Sequence, residues 1–139
     1  MEKYLKMLNV FAEESDAVTK LALSVLGASI LAMISTSYLK PSSRKWRWIY
    51  LLFIPGWVLT VISVYFGALV KQLKITGNLY PSPTSNNEEI LRNAVAHSAD
   101  YFVYQSRTFS MSILFYTLWI VLFAIWWIIN KESNEKKIY

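Results

Sequence analysis

Residues 48–70 run for 23 positions without a charged side chain, and no other feature constrains the chain as strongly. As a helix, an apolar stretch of this length matches the roughly 30 Å hydrocarbon core of a bilayer. Residues 40–47, just before it, carry Lys40, Arg44, Lys45 and Arg47 with no acidic side chain, and Trp46 and Trp48 lie alongside. Lys and Arg in short loops are held on the cytoplasmic side and touch anionic headgroups, while Trp favours the headgroup layer. The basic loop 40–47 is therefore read as cytoplasmic.

Two more stretches have the same character. Residues 21–39 lie between Lys20 and Lys40, and residues 108–129 follow Arg107, neither containing a charge. The chain is 55% hydrophobic and 17% charged, against about a quarter charged in soluble domains. The predicted fold class is an all-α integral membrane protein with three transmembrane helices in one membrane domain, residues 1–139. Three spans with that loop inside put the N-terminus outside and the C-terminus in the cytoplasm. Tyr38, Trp46, Trp48, Trp126 and Trp127 would then form an aromatic belt at one interface.

The remaining segments are polar but patterned. In residues 1–20, Tyr4, Met7, Leu8 and Phe11 recur at helical spacing, which predicts an amphipathic helix lying at the interface or packed on another protruding helix. Residues 71–107 form a long connection with Pro81 and Pro83 in a turn at 78–87. Gly77 is expected to stop the helix before that turn. A new helix is expected from about residue 88, capped by Asn86 or Asn87, with Glu88 and Glu89 facing its dipole. Helices two and three, with the N-terminal helix, thus extend out of the bilayer on one side. Residues 130–139 are a charged tail.

Small residues predict how the spans pack. Ser24, Ala28, Ala32 and Thr36 recur every four positions, and Ala22, Ser29 and Thr36 every seven. Gly56, Thr60, Ser63 and Gly67 share one face of the second span, a natural partner for the first. In lipid such faces permit close helix approach, or line a pore. Ala96, Val103, Ser110, Thr117 and Ala124 recur every seven residues, which predicts a left-handed seam. The third span's many aromatic residues are expected to face lipid. Pro55 should kink the second span, as a packing bend or as a gating hinge.

Chemistry is not expected. The chain has no cysteine, and the span serines have no base beside them. His97, with Asp100, Glu88 and Glu89, does not make a metal-ligand set. The reading is a non-enzyme with no cofactor or metal. The net charge of +5 is concentrated in the 40–47 loop, so nucleic acid is not an expected partner. No Asp, Glu, Lys, Arg or His lies within the spans, which counts against ion-coupled transport.

Two functional readings remain. Size, three spans, orientation and the charged tail resemble small pore-forming proteins such as holins, although their loops are usually shorter. That resemblance implies an oligomer that forms a pore or perturbs the bilayer. The alternative is a non-catalytic accessory or scaffold subunit of a larger membrane complex. There Tyr101, Phe102 and Tyr104 would contact a partner, or else belong to an aromatic belt. The expected partners are the lipid bilayer and either copies of itself or other membrane subunits. A further option is that the 40–47 loop senses an anionic cytoplasmic ligand or lipid.

Overall fold

The structure, a computed structural model, describes residues 2–37, 47–79 and 85–135. Three helices fill it: α1 (Glu2–Ser37), α2 (Phe53–Asn78) and α3 (Ser85–Glu135), with a 3-10 turn at Trp48–Leu52 leading into α2. All three are long and apolar enough to cross a membrane, and no strand occurs among the described residues. The basic and aromatic residues Tyr38, Lys40, Arg44, Lys45 and Trp46 lie outside the described residues, as do the prolines of the second connection.

Local sequence explains most boundaries. Beyond Ser85 the chain has neither Gly nor Pro, so nothing interrupts the 51-residue α3. This helix starts before the predicted caps, leaving Asn86 and Asn87 within its first turn. The expected mid-helix kink at Pro55 is replaced by a different device. Pro55 has no N–H to offer the carbonyl of Leu51, and its ring crowds that carbonyl. The backbone winds as a 3-10 turn through Leu52, and the α-helix starts only at Phe53, which puts Pro55 in a first turn. Gly77 is not a left-handed stop either. It has no positive φ, and α2 continues through it to Asn78. A Cβ there would collide with Leu8 of α1 and lie 3.3 Å from Leu91 of α3, so its role is close packing.

The helices meet along heptad seams. On α2 and the turn before it, Ile49, Gly56, Ser63, Val70 and Gly77 form one buried series, and Phe53, Thr60 and Gly67 a second. That double series is the a/d pattern of a left-handed coil. On α1, Leu8, Ser15, Ala22 and Ser29 are buried at intervals of seven. On α3 the buried series is Leu91, Ser98, Gln105, Ser112, Trp119 and Trp126.

The seven-residue period on α3 is real, but its predicted phase is corrected. Ala96, Val103, Ser110, Thr117 and Ala124 are all exposed. The expected seam was one of small groups, whereas α2 supplies the glycines and α3 the large side chains that fill them. Tyr116 covers Gly56 and Gln105 covers Gly67. The α2 stripe therefore faces α3 as much as α1. For the same reason Tyr116, Trp119 and Trp126 turn inward instead of outward, and Trp126 does not share the exposure of Trp48 and Trp127.

Two apolar cores bracket the seam. Ile49, Phe53, Tyr116 and Trp119 form one, with the Phe53 and Trp119 rings 4.7 Å apart. Leu8, Ala94 and Val95 form the other, flanked by Tyr4 and Phe11. The N-terminal part of α1 thus packs against α3 through Tyr4, Leu8 and Phe11, and α1 is a single 36-residue helix from Glu2. The four helical-glycine environments give a test. Gly67→Ala, whose new Cβ collides with Thr19 and Gln105, should destabilise the protein by about 1–3 kcal/mol. Gly27→Ala, whose Cβ meets nothing within 4 Å, should stabilise it by up to about 1 kcal/mol. Unfolding of detergent-solubilised protein with a denaturing detergent, followed by circular dichroism, measures both.

Candidate functional site

Where α1, α2 and α3 converge, one buried side chain binds all three. Gln105 is fully buried at the third of the six inward heptad positions of α3. Ser15 Oγ donates to its Oε1 at 2.6 Å. Its Nε2 donates to the Ser15 backbone carbonyl at 3.2 Å and to Thr19 Oγ1 at 2.9 Å. From α2, Ser63 Oγ donates to the Gln105 backbone carbonyl at 3.1 Å. An amide away from water needs such partners, because each unmade bond costs about 1–3 kcal/mol. The knot fits because Gly67 leaves the space that a Cβ would occupy.

Weaker ties run along the rest of the seam. Trp57 Nε1 donates to Ser29 Oγ at 2.9 Å, and Tyr50 OH donates to the Thr36 carbonyl at 3.3 Å, joining α2 and its leading turn to α1. Thr60 Oγ1 and Tyr116 OH share a hydrogen bond of 3.0 Å between α2 and α3. Among the described residues, the buried Ser98 Oγ and Trp119 Nε1 have no hydrogen-bond partner.

Beside the knot, a groove of about 550 Å3 opens between α1 and α2. Glu13 and Asp16 stand on its α1 side, and Lys71 and Lys74 on its α2 side. Asp16 pairs with Lys20 at 2.9 Å, one turn along α1. The Lys20 hydrogen bond and charge hold the Asp16 carboxyl below its usual pKa; Lys71 and Lys74 add to this, and partial desolvation opposes it. Carboxylates and ammonium groups thus stand on opposite sides of the groove. Among the described residues, no three His, Asp or Glu side chains gather at one point. His97 is exposed and stacks on Tyr101.

The residues singled out from sequence fall into separate places. Gly56, Thr60, Ser63 and Gly67 are buried in the seam. Ser24 and Ala28 are exposed, while Ala32 and Thr36 are half-buried, because the heptad series Ser15, Ala22 and Ser29 takes the inner face of α1. Arg47 and Trp48 are exposed. Phe102 packs on Phe11, and Tyr101 and Tyr104 lie against Phe66 at centroid distances of 6.2 and 5.6 Å. Tyr104 alone of the three is more than half exposed, at 51%. Gln105, Ser15 and Thr19 were not anticipated. Gln105 standing seven residues from both Ser98 and Ser112 was the available signal.

In comparisons with protein families, curated proteins and solved structures, the chain matches none. Its own geometry is what describes it: a three-helix bundle with a polar clamp and an adjoining charged groove.

Two measurements probe this site. Gln105→Leu should destabilise the protein by about 1–3 kcal/mol and Ser15→Ala by about 0.5–1.5 kcal/mol. The double substitution should cost less than their sum, because each single change breaks the same side-chain hydrogen bond between the two residues; denaturing-detergent titration reads all three. Asp16 gives a pH dependence of known sign. Its folded pKa is depressed, so its contribution is present above the unfolded carboxylate pKa of about 4 and lost as pH falls through the folded value. Asp16→Asn should flatten that acid limb in melting curves recorded across it.

Proposed function

We propose that the chain is an integral membrane protein acting without catalysis, as an accessory or scaffold subunit that presents a helical stalk on one side of the bilayer. One observation carries this reading: the packed seam does not end where the apolar stretches end. Leu8, Gly77, Leu91, Ala94 and Val95 build a second core beyond them. At 1.5 Å per residue, the 36-residue α1 and 51-residue α3 reach about 54 and 76 Å, well beyond the roughly 30 Å needed to cross. An ordered stalk of that kind suits docking, whereas a pore has no use for it. The hydroxyls of Thr60, Ser63 and Ser112 are buried in the seam, which supports glue over lining within one chain.

The bilayer, and other membrane subunits docked on the stalk, are the partners in this reading. The basic 40–47 loop supports an outside N-terminus and a cytoplasmic C-terminus. A cysteine replacing Ser42 should then be shielded from an impermeant thiol reagent in intact cells, and ready labelling would reverse the orientation.

A second reading has its own support. Ser24 and Ala28 on α1 and the series from Ala96 to Ala124 on α3 are exposed small residues, which suit contacts between copies in a holin-like, pore-forming oligomer. Liposomes containing the purified protein alone separate the two readings. The subunit reading expects them to stay tight to ions and dye across potential and pH. Flux that grows with protein concentration and disappears in Ser24→Leu, Ala28→Leu, Ala32→Leu would select the pore.

A further inference from the structure

The groove between α1 and α2 combines three properties that point to one ligand. The first is its level along the helix. Lys71 is the first charged residue after the uncharged run 48–70, and if that run crosses the membrane, Lys71 stands where lipid phosphates lie. The second is its polarity. Glu13 and Asp16 on one wall face Lys71 and Lys74 on the other, close enough for both lysines to act on the Asp16 carboxylate. Neither lysine forms an ion pair among the described residues; the pair that does form is Asp16 with Lys20. The third is its apolar continuation, in which Val64 and Ala68 extend the groove by one to two helical turns toward the uncharged run. Gly67, held close to Thr19 and Gln105, adds no side chain to fill it.

We propose that this groove binds a zwitterionic phospholipid. Lys71 and Lys74 hold the phosphate, Glu13 and Asp16 receive the headgroup ammonium, and an acyl chain lies along Val64 and Ala68. The inference rests on the membrane placement proposed above. Charge complementarity selects the headgroup. A purely anionic lipid would satisfy the lysines but set its negative charge against Glu13 and against Asp16, whose charge only Lys20 partly offsets, which disfavours it. A soluble phosphoester would find the same charges but gain nothing from the apolar floor.

Native mass spectrometry of the full chain in non-ionic detergent tests this directly. Phosphatidylethanolamine, phosphatidylglycerol and glycerophosphoethanolamine serve as probes. The wild-type protein should retain phosphatidylethanolamine in preference to phosphatidylglycerol, and the soluble headgroup should not displace it. Lys71→Gln with Lys74→Gln should lower that retention about tenfold, as loss of charge-assisted contacts does. Glu13→Gln with Asp16→Asn should narrow the preference between the two lipids. Ala68→Phe, at an exposed position, should block binding by filling the floor with all charges kept. Retention unchanged in the lysine variant, or in Ala68→Phe, would overturn the site. Equal competition by glycerophosphoethanolamine would make it a site for soluble phosphoesters and overturn the lipid. Flotation of cell membranes keeps the two readings apart. Where wild type and variants float together in the membrane fraction, lipid retention alone decides for or against the groove. Wild type absent from that fraction would remove the membrane placement and the proposal with it.

Discussion

A single amide holds the architecture in register. Gln105 is anchored to two residues of α1 through its side chain and to α2 through its backbone carbonyl. Helices surrounded by lipid gain little from apolar burial against one another, so packing and hydrogen bonds must supply the preference for one arrangement. Each bond in such a setting is worth about a kcal/mol or less. A cluster of four that shares one residue is nonetheless hard to satisfy in any other register, because a shift of α1 by one heptad would set Leu8 and Ala12, or Ala22 and Leu26, opposite Gln105 in place of Ser15 and Thr19. The clamp therefore acts on specificity as much as on strength.

Around that clamp, large side chains are matched to glycines. Gly56, Gly67 and Gly77 of α2 lie beneath Tyr116, Gln105 and the Leu8–Leu91 pair. Their spacings of eleven and ten residues, close to three turns, keep all three on one side of the helix. The result is a helix with a flat face against which two bulkier neighbours are pressed. This also explains why α2 contributes so few large residues to the core beyond Phe53 and Val70.

How much of this was legible in the sequence depends on what each signal measured. Uncharged length identified three long apolar helices, because charge is costly in hydrocarbon wherever it falls. Small-residue spacing located the α2 face, since glycine has few reasons other than close approach to recur there. The same criterion failed on α3, where the inward series mixes Ser98 and Ser112 with Leu, Gln and Trp, and the small-residue series from Ala96 to Ala124 faces outward. A single helix offers two heptad series with equal regularity, and only the partner's surface decides which turns inward. The expected kink at Pro55 and helix end at Gly77 differ from the structure for a related cause. Both residues have a local meaning as breakers, and here Pro55 was absorbed in a first turn and Gly77 was needed for contact. The Gln105 clamp joins residues 90 positions apart, so no local pattern could announce it.

That separation also sets an order of events during synthesis. The first turns of α1 find their partners, Gly77, Leu91 and Gln105, only after most of the chain has been made. At about 5–20 residues per second, Ser15 waits roughly 5–18 seconds for Gln105 to emerge. Until α3 is made, the apolar face of Tyr4, Leu8 and Phe11 lacks the Ala94 and Val95 surface it packs on. The N-terminal half of α1 thus meets α3 only after about 90 further residues have been made.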